Sequence, residues 1–118
     1  MVESTVYKAL APLASGQVFP DVAPAKTPAP WITYQAVGGQ DFTGLDNELA
    51  DVENARVQIS VWAKTRKEAA QLMRQVKQSL VNPRIKAVPI GGPVSSFESD
   101  TLLYGASLDF SITYNTEV

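Results

Sequence analysis

The stretch ENARVQISVWAKTRKEAAQLMRQVKQSL, residues 53–80, decides the fold, because its hydrophobic period changes partway along. From Ala55 to Ala63 aliphatic residues alternate with polar residues and a tryptophan, which predicts a strand with one aliphatic face. Further on, helical spacing is kept by Ala69, Leu72, Met73, Val76 and Leu80. Thr65 and Glu68 have the spacing of a capping box, which marks the start of the helix. We expect the helix to pack its apolar stripe on the aliphatic face of a sheet.

The rest of the chain supplies more strands and one more helix. A short apolar stripe predicts a helix over residues 2–14, limited by Pro12 and ended by Gly16. Residues 17–30 hold four prolines and predict an extended connection, with a short strand at Val18 and Phe19. Strands are expected over 31–37, 84–90, 94–97 and 102–114, with turns at 91–93 and 98–101.

The longest strand, residues 102–114, is expected to pair with the central strand in antiparallel orientation. We predict the register that places Val57 opposite Leu108, which also sets Arg56 opposite Asp109. The predicted fold class is α+β, with a mostly antiparallel sheet of four to five strands and both helices on one face. The element order is α-β-β-β-α-β-β, within a single domain over residues 1–118.

The composition limits the chemistry that the chain can perform. It has no cysteine and no histidine, so disulfides, thiolate nucleophiles, histidine bases and most zinc sites are excluded. No phosphate loop, dinucleotide fingerprint or EF-hand spacing occurs. We therefore predict no catalytic residue, no cofactor and no metal site, with a site built on carboxylates alone as the alternative. No stretch predicts a membrane span or a signal peptide, so we expect the cytoplasm.

Charge is unevenly distributed although the net charge is only −2. The acidic segment, residues 38–53, has no base and carries Asp41, Asp46, Glu48, Asp51 and Glu53. Its length predicts a flexible connection between two strands. The basic segment, residues 64–86, has seven bases against Glu68 alone. Two opposite patches are typical of head-to-side association between copies, and two solvated surfaces are the alternative.

The second face of the predicted sheet is polar but poor in charge. It carries Thr33, Gln35, Gln58, Ser60, Ser107, Ser111 and Thr113. A solvated face usually has more Lys and Glu, which prevent aggregation. Trp62 falls on this face by parity, and Trp31 is assigned to it as well; tryptophan is a frequent interface anchor. We predict a subunit interface at Trp31, Trp62, Arg56 and Asp109, the alternative being that loops or the prolines cover both rings.

Four parts of the chain match a known family in their sequence and in their order. They are LAPLASG, QVFPDVAP with APWITYQ, ENARVQISVWAKTRKEA and YGASLDFSITY, which together span most of the chain. They resemble the tail completion proteins of tailed phages and prophages, also called tail-to-head joining proteins, which belong to the tail-terminator-like class. The resemblance implies a structural virion protein in the tail, assembled as a ring that is typically a hexamer. The implied partners are the head connector and tail-tube proteins, with DNA passing through the opening without specific binding. No catalytic residues belong to the family pattern.

An acidic segment that lines a pore would repel phosphate and let DNA slide, so we predict that the acids face the lumen. These acids are Asp41, Asp46, Glu48, Asp51 and Glu53.

The sequence leaves three other functions open. The first alternative is another head-closure or tail-tube component. The second is a nucleic-acid-binding module on the basic segment, which the pI near 5 and the missing stacking aromatics disfavour. The third is an enzyme built on Asp109 or Glu98, although a strand Asp is more often a cross-strand partner.

Overall fold

The computed structural model describes residues 2–40 and 52–115, which form two α-helices and one five-stranded mixed sheet. In chain order these are α1 (Val2–Leu10), a 3-10 turn (Ala14–Gly16), β1 (Val18–Pro20), β2 (Trp31–Ala36), β3 (Val52–Ala63), α2 (Arg66–Leu80), β4 (Val88–Glu98) and β5 (Leu103–Asn115). The predicted α+β class and the order α-β-β-β-α-β-β are confirmed. Residues 41–51, most of the predicted flexible acidic connection, lie outside the described residues.

The strands follow the order β1-β2-β3-β5-β4 across the sheet. All neighbours are antiparallel except β1 and β2, which run parallel with Val18 opposite Ile32. The proline-rich connection makes the crossover that a parallel pair requires. Gln17 holds it in place, because its Nε2 donates to the carbonyl oxygens of Pro28 at 2.8 Å and Pro30 at 2.6 Å.

The core lies between the helices and one face of the sheet, as the change of period predicts. The Thr65 Oγ1 accepts a hydrogen bond from the Glu68 backbone N–H at 3.1 Å, so the predicted cap starts α2. All five residues of the helical stripe are buried, as are the aliphatic residues of β3 from Ala55 to Ala63. Each fully buried aliphatic side chain contributes roughly 1.5–3 kcal/mol, which makes this contact the main source of stability.

The first helix is shorter than predicted. It ends at Leu10, two residues before Pro12, because a proline ring clashes with the preceding helical turn. Residues 14–16 then form the 3-10 turn that leads into β1. Val6 and Leu10 are fully buried in the same core cluster as α2, so both helices cover one face of the sheet.

The register between β3 and β5 differs by two residues from the predicted one. Val57 lies opposite Phe110, and Ile59 lies opposite Leu108. The faces stay as predicted, because a shift of two residues keeps the alternation. The physical reason lies at Trp62, whose partner is Gly105. An added Cβ at Gly105 would come within 2.7 Å of the Trp62 ring, so only glycine gives the indole this space.

The predicted turn at residues 91–93 is wrong. β4 continues through it as a bulge, with these three residues opposite Leu108 alone. Gly91 takes a φ of +77°, a conformation that glycine adopts without strain, so the strand bends without reversing. The strand also begins at Val88 instead of residue 84, because the Asn82 Oδ1 accepts from the backbone N–H groups of Arg84 and Ile85 and holds a turn there.

Candidate interaction surface

The outer face of the sheet, the side away from the helices, has the composition that the sequence predicts. It is formed by Thr33, Gln35, Gln58, Ser60, Ser107, Ser111 and Thr113, all half-buried or exposed. In the described part of the chain no polar or charged residue is buried and no buried side-chain polar atom lacks a hydrogen-bond partner. This face therefore has neither the apolar cover of a core nor the dense charge of a strongly hydrated surface.

Arg56 and Asp109 form an ion pair on the outer face although they are not register partners. Arg56 lies opposite Ser111 and Asp109 opposite Gln58, so the two side chains meet along the diagonal. The Arg56 Nε donates to the Asp109 Oδ2 at 2.6 Å. The Arg56 side chain is 49% exposed, so solvent screens the pair, and its contribution is about 0–1 kcal/mol. The pair cancels two charges within a face that has few others.

Trp31 and Trp62 are register partners at one end of the outer face, and both are half-buried. They line a cleft of about 230 Å³ together with residues 21–23 and Leu103. The loop after β1 therefore lies beside both rings, and each tryptophan keeps an exposed part. The sequence does not reveal residues 21–23 as neighbours of the tryptophans, because only the parallel β1–β2 pairing brings them there.

The acidic segment enters the described structure only at its two ends. The Gln40 backbone N–H donates to the Asn54 Oδ1 at 3.0 Å, and the Asn54 Nδ2 donates to the Ser111 Oγ at 2.8 Å. Glu53 accepts a hydrogen bond from the Tyr114 hydroxyl at 2.8 Å, and this bond raises the pKa of Tyr114. Asp41, Asp46, Glu48 and Asp51 lie outside the described residues. A lumen-facing position of the segment stays a prediction.

Strand β4 adds apolar side chains to the outer face that sequence reasoning missed. Val88, Ile90 and Val94 pair with outer-face residues of β5 and are 60%, 41% and 66% exposed. They form a row along the edge strand. The alternation of Val88 and Ile90 is the signal that could have located them, but the predicted turn at 91–93 interrupted it.

Two kinds of feature were not found among the described residues. Within residues 2–40 and 52–115 no three carboxylates come close enough to hold a metal ion. No helix in the same ranges is long and apolar enough to cross a membrane. The main exposed feature of the described structure is the polar outer face of the sheet, which carries two tryptophans, the Arg56–Asp109 ion pair and an apolar edge strand.

Two helices on one face of a five-stranded mixed sheet, with the other face uncovered, define a small α+β protein. A comparison with protein families then gives the family. The model of the tail completion protein gp17 family matches residues 5–115, nearly the whole chain. The chain therefore belongs to the phage tail completion protein family, as the sequence resemblance predicts, and has a structural role in a phage tail. No curated protein matches it significantly.

Proposed function

We propose that this chain forms a ring at the head-proximal end of the tail, completes the tail there and joins it to the head connector. The family match over residues 5–115 is the observation that carries the proposal. The family that the sequence resembles implies a hexamer, and prophages encode many of its members. Each copy would contact its neighbours, the tail tube and the connector, while DNA passes through the opening without specific binding.

The outer face supports this role, since a ring subunit needs surfaces for at least two neighbours. Trp31 and Trp62 are the proposed anchors, because large aromatic rings contribute most to interface affinity. Arg56 and Asp109 neutralise each other, so burying the pair in an interface places no net charge there. The exposed row on β4 extends the same surface with apolar area.

A lumen-facing position of the five acids, Asp41, Asp46, Glu48, Asp51 and Glu53, is a separate proposal about the same ring. Carboxylates around an opening repel phosphates, which keeps DNA mobile. This proposal predicts that replacing the acids by amides slows DNA passage without weakening contacts between copies. The basic segment, in contrast, would bind DNA if it contacted phosphates. A gel shift would then show DNA binding that weakens steeply as the salt concentration rises.

Electron microscopy of particles produced without this chain tests the proposed role. We expect tails of normal length that are not attached to heads, beside filled or empty heads. Supplying the wild-type chain from a plasmid should restore joined particles. Joined particles without the chain would contradict the proposal. Failure to form any tail would instead indicate a tail-tube component, and tails joined to heads that leak DNA would indicate a head-closure component.

A further inference from the structure

A groove runs between α2 and the bulged part of β4, on the helix side of the sheet. Its volume is about 340 Å³. The floor is apolar and includes Ala69, Met73 and Ala106, all buried. The rim carries Arg66, Arg74 and Lys77, three cations spaced along one side of α2. This combination of an apolar floor and a cationic rim fits a chain segment that alternates acidic and apolar side chains.

The rim cations have no acidic partner within residues 2–40 and 52–115. The ion pair found in those ranges joins Arg56 to Asp109 on the opposite face. Glu68, the acid of α2, is not among the groove-lining residues. Arg66 places its guanidinium carbon 5.5 Å from the centre of the Tyr104 ring, a cation–π contact that does not use its N–H donors. A row of like charges is stabilised when a partner brings carboxylates to it.

The chain itself carries a segment of matching chemistry. Residues 41–51 read DFTGLDNELAD, with four acids and no base. Apolar residues stand between the acids, namely Phe42, Leu45 and Leu49. Carboxylates suit the guanidinium groups of the rim, and the apolar side chains suit its alanine and methionine floor.

The described residues that flank this segment lie far from the groove floor of the same copy. Its ends meet where Gln40 bonds Asn54, at the start of β3. The groove floor at Ala106 lies opposite Val61, seven residues further along β3, and beyond β5; the separation is about 25 Å. Eleven residues held at both ends extend about 20 Å at most. The flanking residues Gln40 and Asn54 lie toward one end of the sheet and the groove floor toward the other, which suits a head-to-tail contact between copies.

We propose that the acidic segment of each copy docks in the α2–β4 groove of the next copy around the ring. The inference rests on the proposed ring and names one of its contacts. Each copy donates one segment and accepts one, so the contact is heterologous. Such contacts form a ring when the rotation from one copy to the next adds up to a full turn. Carboxylates held by the neighbour's cations are not free to line the opening, so this contact is the alternative to the lumen-facing position. Replacing the acids by amides weakens contacts between copies under the first and leaves them intact under the second.

Cysteine cross-linking of the full chain tests the contact, because the wild type contains no cysteine. The pair Glu48→Cys with Ala70→Cys places one thiol in the segment and one in the groove. Mild oxidation of concentrated protein should give a ladder of covalent multimers. The control pair, Glu48→Cys with Gln75→Cys, uses an exposed position of α2 outside the groove and should give at most dimers. No ladder from the first pair, or equal ladders from both, would overturn the proposal.

A binding experiment tests the charge complementarity without requiring a ring. A fluorescent peptide of residues 38–54 is titrated with the full chain at low salt, and its anisotropy is measured. Saturable binding is expected, weakened at least fivefold by Arg74→Glu and changed less than twofold by Arg84→Glu, which alters net charge equally. No saturable binding, or equal effects of both variants, contradicts the contact. The proposed function would survive that result, since it depends on the particles formed without the chain.

Discussion

Trp31 on β2 lies directly opposite Trp62 on β3, and Gly105 on β5 lies opposite Trp62 on its other side. The glycine gives the indole room, since an added Cβ would come within 2.7 Å of the ring. One tryptophan pair is thereby seated at one end of the outer face, partly exposed beside a cleft. The arrangement fixes the rings within the fold and still leaves part of each for a neighbouring subunit.

Replacing Trp62 by alanine should weaken assembly more than folding. The Trp62 indole is half-buried, so we expect a loss of about 1.5–2.5 kcal/mol in the free energy of unfolding, roughly half of that for a fully buried tryptophan. An interface anchor contributes 2 kcal/mol or more to each contact, and a ring repeats the contact in every copy. Urea unfolding of the purified chain and counts of joined particles give the two measurements.

Ile59→Ala is the matched control for that variant. Ile59 is fully buried in the core and faces away from the outer face, so its loss should cost about 2–5 kcal/mol in stability. The number of head–tail particles that are joined should then fall only in proportion to the fraction of the chain that is folded. Equal loss of joining per unit of stability in both variants would show that Trp62 acts through folding alone.

Gly105→Ala should destabilise the chain through a clash that depends on Trp62. The new Cβ would lie 2.7 Å from the indole and 2.8 Å from the Ser96 Oγ, and overpacking of this kind costs about 1–3 kcal/mol. With Trp62→Ala in the same chain, the cost of Gly105→Ala should fall by more than half. A double-mutant cycle from urea unfolding measures this coupling. Additive losses would mean that the indole is not what the glycine accommodates.

Asp109→Asn should have a small effect that depends on salt. Solvent screens the pair because the Arg56 side chain is half exposed, so the loss of unfolding free energy should stay within about 1 kcal/mol at low salt and vanish near 1 M NaCl. Chemical denaturation with urea at both salt concentrations measures it. A loss above about 2 kcal/mol that persists in high salt would instead indicate a buried or structural role for the carboxylate.

Stability should fall at alkaline pH through Tyr34. Burial raises the pKa of its hydroxyl above the usual 10.0, and the charges of Glu3, Tyr7 and Asp21 add to the shift. A raised pKa means that the folded state favours the neutral phenol. This contribution is complete below pH 10 and is lost as pH rises through the folded-state pKa. Tyr34→Phe cannot ionise, so its urea midpoint should fall less than that of the wild type between pH 9 and 12. Parallel pH profiles of the two proteins would contradict this.

Periodicity predicted the elements that depend on local pattern. The switch at Thr65 gave both β3 and α2, and alternation assigned Ile59 to the core and Trp62 to the outer face. The family followed from several such stretches in order, and the match over residues 5–115 confirms it. These features are fixed by neighbouring residues in the sequence, which is why the sequence alone predicts them.

The features that sequence reasoning missed depend on which strands meet. The register shift of two residues depends on seating Trp62 over Gly105, two residues far apart in the chain. The Gly91 bulge has the composition of a turn and becomes a strand only because β5 supplies partners on both sides of it. The groove likewise forms where α2 passes β4, so its lining residues are scattered in sequence.

Cryo-electron microscopy of the head–tail junction in intact virions tests the central claim most directly. We predict a closed ring of this chain at the head-proximal end of the tail, between the tail tube and the connector. Trp31 and Trp62 of every copy should contact a neighbouring subunit. A ring at another position, or this chain in place with both tryptophans facing solvent, would contradict the account.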